Sequence, residues 1–164
     1  MTDIKQTPAP DLLVQEGDIA GDYLERLLDI ADVDGDIDMD VEGDRAVVAI
    51  VGEGLDALVG ANGATLDALQ ELTRLAVVQQ TGVRSRLMLD IGGWRAQRKT
   101  DLTEVGARAA QRVLESGEPI SLAAMTPFER KIVHDAVAVV DGVVSESEGV
   151  EPERRVVVLP AARD

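Results

Sequence analysis

From residue 19 to residue 32 the apolar side chains recur at helical spacing. Ile19, Tyr23, Leu24, Leu27, Leu28 and Ala31 fall on one face, which predicts a first helix. The period then shortens to two. Ile37, Met39 and Val41 alternate with Asp36, Asp38 and Asp40, the signature of a half-exposed strand. Gly43-Asp44 is a turn signal, and Ala46–Val51 predicts a second, more buried strand that closes a hairpin. Leu55, Leu58 and Val59 predict a short helix, interrupted by Gly60-Ala61-Asn62-Gly63. Leu66, Leu69, Leu72, Leu75 and Ala76 then predict a longer helix that Gly82 stops. Residues 84–91 alternate again through Leu87, Leu89 and Ile91, a third strand.

Gly92-Gly93 and the basic stretch up to Thr100 mark a boundary. Beyond it, residues 101–116 predict a helix with Leu102, Val105, Ala109 and Val113 inward and Arg108 and Arg112 outward; Gly117 ends it. Ile120–Leu122 predicts a short strand. Thr126-Pro127 is a helix start, with Thr as N-cap, Pro at the first helical position and Glu129 as the acidic partner of a capping box. That helix is expected to run to about Val140. Val143–Ser147 and Arg155–Leu159 predict two strands joined by a turn at Gly149 and Pro152. The fold class expected is α+β, in two small domains. Residues 1–18, polar with Pro8 and Pro10, are expected to be a disordered tail. Residues 19–93 form the first domain, 94–100 a linker and 101–161 the second domain.

Composition narrows the chemistry. Of 164 residues 45% are apolar but only 2% aromatic, so Val, Leu, Ile and Ala must build the cores. No cysteine is present and His134 is the single histidine, which excludes disulfide frameworks, thiolate metal sites and histidine-rich catalytic clusters. No nucleophile–base pair, Walker-type loop or dinucleotide fingerprint occurs, so neither an enzyme nor a cofactor is expected. The string from Asp38 to Gly43 fits the first half of an EF-hand loop, but the twelfth position, which needs a bidentate Glu, is Ala49. No apolar run reaches the ~18 residues of a spanning helix. The N-terminus has no signal-peptide pattern, so an integral membrane segment is not expected and a cytoplasmic location is.

A net charge of −15 argues at first against a nucleic-acid partner, because phosphate binding is driven by Lys and Arg. The charge is unevenly placed, however. Residues 1–72 hold three basic and 18 acidic residues, and residues 73–164 hold 13 of each. Arg84, Arg86, Arg95, Arg98, Lys99, Arg108 and Arg112 lie within one short stretch, so a local patch can still attract phosphate. Of these, Arg95, Arg98, Lys99, Arg108 and Arg112 either track a nucleic-acid backbone between the domains or are a solvated helix face. Trp94 reads as a packing residue between domains, with base stacking as its alternative.

The first block resembles a type II KH domain: its element order matches, and Gly60-Ala61-Asn62-Gly63 stands where that family has a Gly-x-x-Gly loop between two helices. The segment LVGANGATLDALQELTRLAV is similar to the KH domain of the Jag/KhpB family, also called SpoIIIJ-associated proteins. The second block resembles the R-3-H domain, named for an Arg and a His separated by three residues, here Arg130-Lys131-Ile132-Val133-His134 within MTPFERKIVHDAV; SEGVEPERRVVVLP downstream also resembles it. The similarity covers residues 20–160. Many Jag proteins carry a further N-terminal domain, in whose place a short tail is expected here. The resemblance implies a bacterial post-transcriptional regulator that binds single-stranded RNA, with single-stranded DNA left open, and that acts in cell elongation or division. It also implies a partner, the small single-KH protein KhpA, or self-association.

The residues give that expectation a mechanism. Glycine, lacking Cβ, lets the backbone of Gly60-Ala61-Asn62-Gly63 approach about four nucleotides. The helix that follows offers free N–H groups and a positive dipole end to phosphate. Leu55, Leu58, Val59 and Leu66 are expected to wall a groove for bases. The two variable positions are uncharged and Asp56 and Asp67 lie near, so this loop alone should bind weakly; a plain inter-helix turn is its structural alternative. Arg130 and His134, one turn apart, share a helix face and would form a small anion surface, widened by Lys131, Arg154 and Arg155. The alternative there is a solvated face with Arg130 paired to a nearby Glu. The rival function is a protein-interaction adaptor whose KH fold has lost RNA binding.

Overall fold

Helix α1 spans Pro10–Ala31 in the computed structural model, which describes residues 9–162. Pro10 occupies the first helical position, where its fixed φ suits a helix and its missing N–H is no loss. Leu13, Ala20, Leu24 and Leu28 line the buried stripe, and the close-packed Gly17 and Gly21 lie on the same helix. The tail expected over residues 1–18 is therefore corrected from Pro10 onward: the proline starts a helix there. Residues 1–8 lie outside the described residues. Asp32 ends α1 in a left-handed conformation, its N–H returning to the carbonyls of Leu28 and Asp29.

Strands β1 (Asp36–Glu42) and β2 (Arg45–Val51) pair antiparallel, from Asp36 opposite Val51 to Glu42 opposite Arg45. The short helix α2 (Asp56–Val59) and the long α3 (Ala64–Thr81) form the crossover that parallel pairing needs. Strand β3 (Met88–Ile91) accordingly runs parallel to β2, giving the sheet order β1-β2-β3. Ala46, Val48 and Ile50 of β2 join Leu89 and Ile91 of β3 in an aliphatic core with Leu24, Leu28, Leu66 and Val77. The alternation in β1 is looser than its sequence pattern implies. Met39 and Val41 are exposed, and Met39 reaches over α1, where a Cβ on Gly21 would lie 3.0 Å from its Sδ.

The chain divides into residues 1–95 and 96–164. Helix α4 spans Trp94–Ser116, so the linker expected over residues 94–100 is helical. The reason is local: after Gly93 the segment holds Arg, Ala, Gln and Lys, all strong helix formers. The Asp90 carboxylate accepts the Arg95 N–H at 3.1 Å, near the helix start. The second unit continues with β4 (Ile120–Ala124), α5 (Pro127–Ala138), β5 (Val143–Glu148) and β6 (Arg155–Pro160). Its sheet is antiparallel in the order β4-β6-β5. Leu102, Val113, Val133, Val137, Val143, Val156 and Val158 lie in its core. Val105, expected inward, is exposed, whereas Gly106 is buried. A Cβ on Gly106 would lie 2.9 Å from Ala136 Cβ and 3.1 Å from the Val133 carbonyl, so α4 meets α5 at this glycine. The Thr126–Glu129 capping box forms at the start of α5 as its sequence predicts.

Candidate nucleic-acid interface

Between α2 and α3 the chain reverses over four residues. Gly60 has φ 75°, Asn62 φ 53° and Gly63 φ 76°, all on the left-handed side that glycine, and less readily asparagine, adopts. Residues Ala61–Gly63 form a single 3-10 turn whose tip, Ala61 and Asn62, is exposed. Both glycines are also required by packing. A Cβ on Gly60 would fall 2.2 Å from Thr65 Oγ1, and one on Gly63 would fall 2.5 Å from the Trp94 ring. Trp94 thus packs within the first unit, against the loop's second glycine.

Helix α3 starts at this loop with no side chain capping its first N–H groups. The acidic residue of its first turn, Asp67, receives Arg95 Nη2 at 3.3 Å. Arg95 also donates to the Leu89 carbonyl at 2.8 Å and to Gln70 at 3.1 Å, so it fastens the start of α4 to α3 and β3 and is no free phosphate contact. The expected apolar wall does not form as a groove. Leu55, Val59 and Leu66 belong to the core, and Leu58 alone of the four is half-exposed.

In the second unit, Arg130 and His134 stand one turn apart on α5, but each has partners of its own. The Arg130 side chain is only 9% exposed; its Nη1 donates to the Met125 carbonyl at 2.6 Å and its Nη2 to the Glu151 carboxylate. The guanidinium therefore faces the β4–α5 junction and the β5–β6 turn, which corrects the outward-facing cradle expected of it. His134 Nδ1 lies 2.6 Å from Ser145 Oγ and Nε2 2.8 Å from Ser147 Oγ. Both serines sit on β5 two residues apart, on the face it turns to α5. Hydroxyls donate or accept, so they satisfy either tautomer of the ring.

The remaining predicted groups are nearer water. Lys131 is exposed and pairs with Asp135 at 2.7 Å, an exposed one-turn pair of small energetic value. Arg154 donates to the Gly149 carbonyl at 2.8 Å, shaping the β5–β6 turn. Arg155 is half-buried on β6, opposite Glu148, and makes no ion pair among the described residues. Of the basic run, Arg98 holds the buried Glu129 at 2.8 Å and Arg108 pairs with Glu104, while Lys99 and Arg112 are exposed. Sequence reasoning missed Glu151, Ser145 and Ser147. The serines had a signal: Val143, Ser145 and Ser147 share the sheet face opposite Val144, Glu146 and Glu148, so two hydroxyls fall on the covered side and need a polar partner. Among the described residues no group of three or more His, Asp or Glu is placed to hold a metal ion.

Comparison with known proteins bears on what such a surface does. Residues 100–160 match the R-3-H domain family. The chain is 33% identical over 143 residues to the RNA-binding protein KhpB of Clostridium symbiosum, covering 86% of this chain and 64% of that protein. It is 30% identical over 137 residues to the protein of the same name in Lactiplantibacillus plantarum, covering 84% and 42%. With that of Bacillus subtilis it shares 34% over 106 residues, covering 63% and 51%. The chain thus spans 42% to 64% of the length of these curated relatives.

Proposed function

The chain belongs to the Jag/KhpB family, and from that premise we propose that it binds single-stranded RNA and catalyses no reaction on it. One observation carries the proposal: a glycine-enforced turn exposes Ala61 and Asn62 at the start of the 18-residue α3, whose first N–H groups no side chain caps. A phosphate there meets backbone donors and the positive end of a helix dipole, a contribution of about 0.3–1 kcal/mol at an exposed terminus. With no Lys or Arg in Gly60–Gly63, the loop is a weak site by itself. The second unit adds Lys131, Arg154 and Arg155; His134, held by Ser145 and Ser147, and Arg130, held by Met125 and Glu151, act as positioning residues beside them. Two weak contacts on one chain reach a joint affinity above either through effective concentration. In the same reading this activity belongs to the cytoplasm, in the control of transcripts for cell elongation or division. The partner there is a small single-KH protein of the KhpA kind or a second copy of this chain.

Titrating a labelled oligoribonucleotide at several salt concentrations tests the proposal. Affinity should fall steeply with salt. Asn62→Asp keeps a residue that tolerates the left-handed conformation and adds a negative charge at the tip, so folding should persist while affinity falls by about tenfold. The commitment of Arg130 to Glu151 favours a second reading, an adaptor that binds protein through the same fold. A wild-type chain that ignores RNA at low salt would overturn the first reading.

A further inference from the structure

A concave site lies away from the Gly60–Gly63 turn in the first unit. A cleft of about 650 Å³ is bordered by Arg45, Arg74, Arg84 and Arg86, which come from the start of β2, the middle of α3 and the segment leading into β3. Residues 1–72 contain only three basic residues, and Arg45 is one of them. Two of the four arginines are committed: Arg74 to Glu71 at 3.1 Å and to the Leu87 carbonyl, Arg86 to Asp44. Arg45 and Arg84 make no ion pair or side-chain hydrogen bond among the described residues. Glu71 is the one carboxylate that borders the cleft with these four guanidiniums, while Asp44 pairs with Arg86 and Glu42 stands opposite Arg45 across the hairpin; the crowded guanidiniums repel one another, and an anion seated between them removes that cost. Leu75, 62% exposed, borders the same cleft and offers an apolar surface beside the charges.

We propose that this cleft holds backbone phosphates of the RNA strand whose other part lies on the Gly60–Gly63 loop; the inference rests on the RNA reading above. Arg74 stands ten residues beyond Ala64 on α3, about 15 Å along the helix axis at ~1.5 Å per residue. A strand of about four nucleotides fills the loop alone, so only a longer one engages both places. The cleft also supplies the cationic contact that the uncharged Ala61 and Asn62 lack.

Oligoribonucleotides of graded length, bound to the full chain, test this. The double variant Arg45→Gln/Arg84→Gln removes two charges that make no ion pair or side-chain hydrogen bond among the described residues, and Arg26→Gln, on α1 outside the cleft, is the control. On long strands the double variant should bind about tenfold more weakly, with a salt slope shallower by roughly 1.4, at about 0.7 per phosphate contact on a single strand. On four-nucleotide strands it should match wild type, and the control should match at both lengths. Wild-type affinity and slope on long strands in the double variant would overturn the inference and leave the RNA reading intact. Binding of inorganic pyrophosphate at Arg45 and Arg84 that long RNA cannot displace would also overturn it, since the cleft would then serve a small phosphate. A wild-type chain that binds neither length overturns both.

Discussion

Arg130→Ala should destabilise the second unit by about 3 kcal/mol, a larger effect than the loss of one phosphate contact. Several losses add up. The Met125 carbonyl loses its charged donor, worth about 1.5 kcal/mol. The buried stem leaves a void that costs roughly 1–2 kcal/mol. The Glu151 pair adds only about 0.5 kcal/mol, because that carboxylate is half-exposed and regains water. For a unit of this size the melting temperature should fall by roughly 15 °C. Arg130→Lys keeps the charge but cannot donate to carbonyl and carboxylate in one fork, so it should recover less than half of the loss. Thermal unfolding of the full chain, with hydrogen exchange reporting the amides of residues 96–164, measures this. An Arg130→Ala chain with unchanged stability and weakened RNA binding would mean that the guanidinium is a direct contact.

Gly63→Ala should cost the first unit about 3 kcal/mol. A left-handed φ of 76° costs a residue with a Cβ about 1 kcal/mol. The new carbon would lie 2.5 Å from the Trp94 ring, which has to shift, at roughly 2 kcal/mol for overpacking. Gly82 separates the two contributions. Its φ is 70°, but an added Cβ there meets nothing within 4 Å, so Gly82→Ala should cost about 1 kcal/mol. Trp94 is the only tryptophan, and its fluorescence should shift toward the solvent-exposed value in the Gly63 variant alone. Equal costs for the two substitutions would show that Trp94 does not press on the loop.

Elements with a strong hydrophobic period could be read from the chain. The β1–β2 hairpin, α3 and the capped start of α5 have the expected extents within a residue or two, because their patterns arise from contacts that repeat along the element. Residues 10–18 and 94–100 were harder. Pro10 looks like a break and is a helix start, and the basic run after Gly93 looks solvated but is made of helix formers. Gly106 escaped because a residue without a side chain leaves no hydrophobic mark, although it is where two helices touch.

The candidate site was half visible for a related reason. Gly60 and Gly63 announce a turn, but the Trp94 ring that forbids a Cβ on Gly63 comes from a later segment. The spacing of Arg130 and His134 places them on one helix face without saying what covers that face. Their partners, Glu151 and the two serines of β5, lie 11 to 21 residues away and arrive only once the sheet has formed.

Amide chemical shifts of the isotope-labelled chain, followed during titration with a single-stranded oligoribonucleotide at low and then raised salt, test the central claim most directly. The amides of Gly60 through Thr65 should move saturably at low salt and return as salt rises. Shifts confined to other surfaces, or none at low salt, would contradict an RNA site built on the exposed turn before α3.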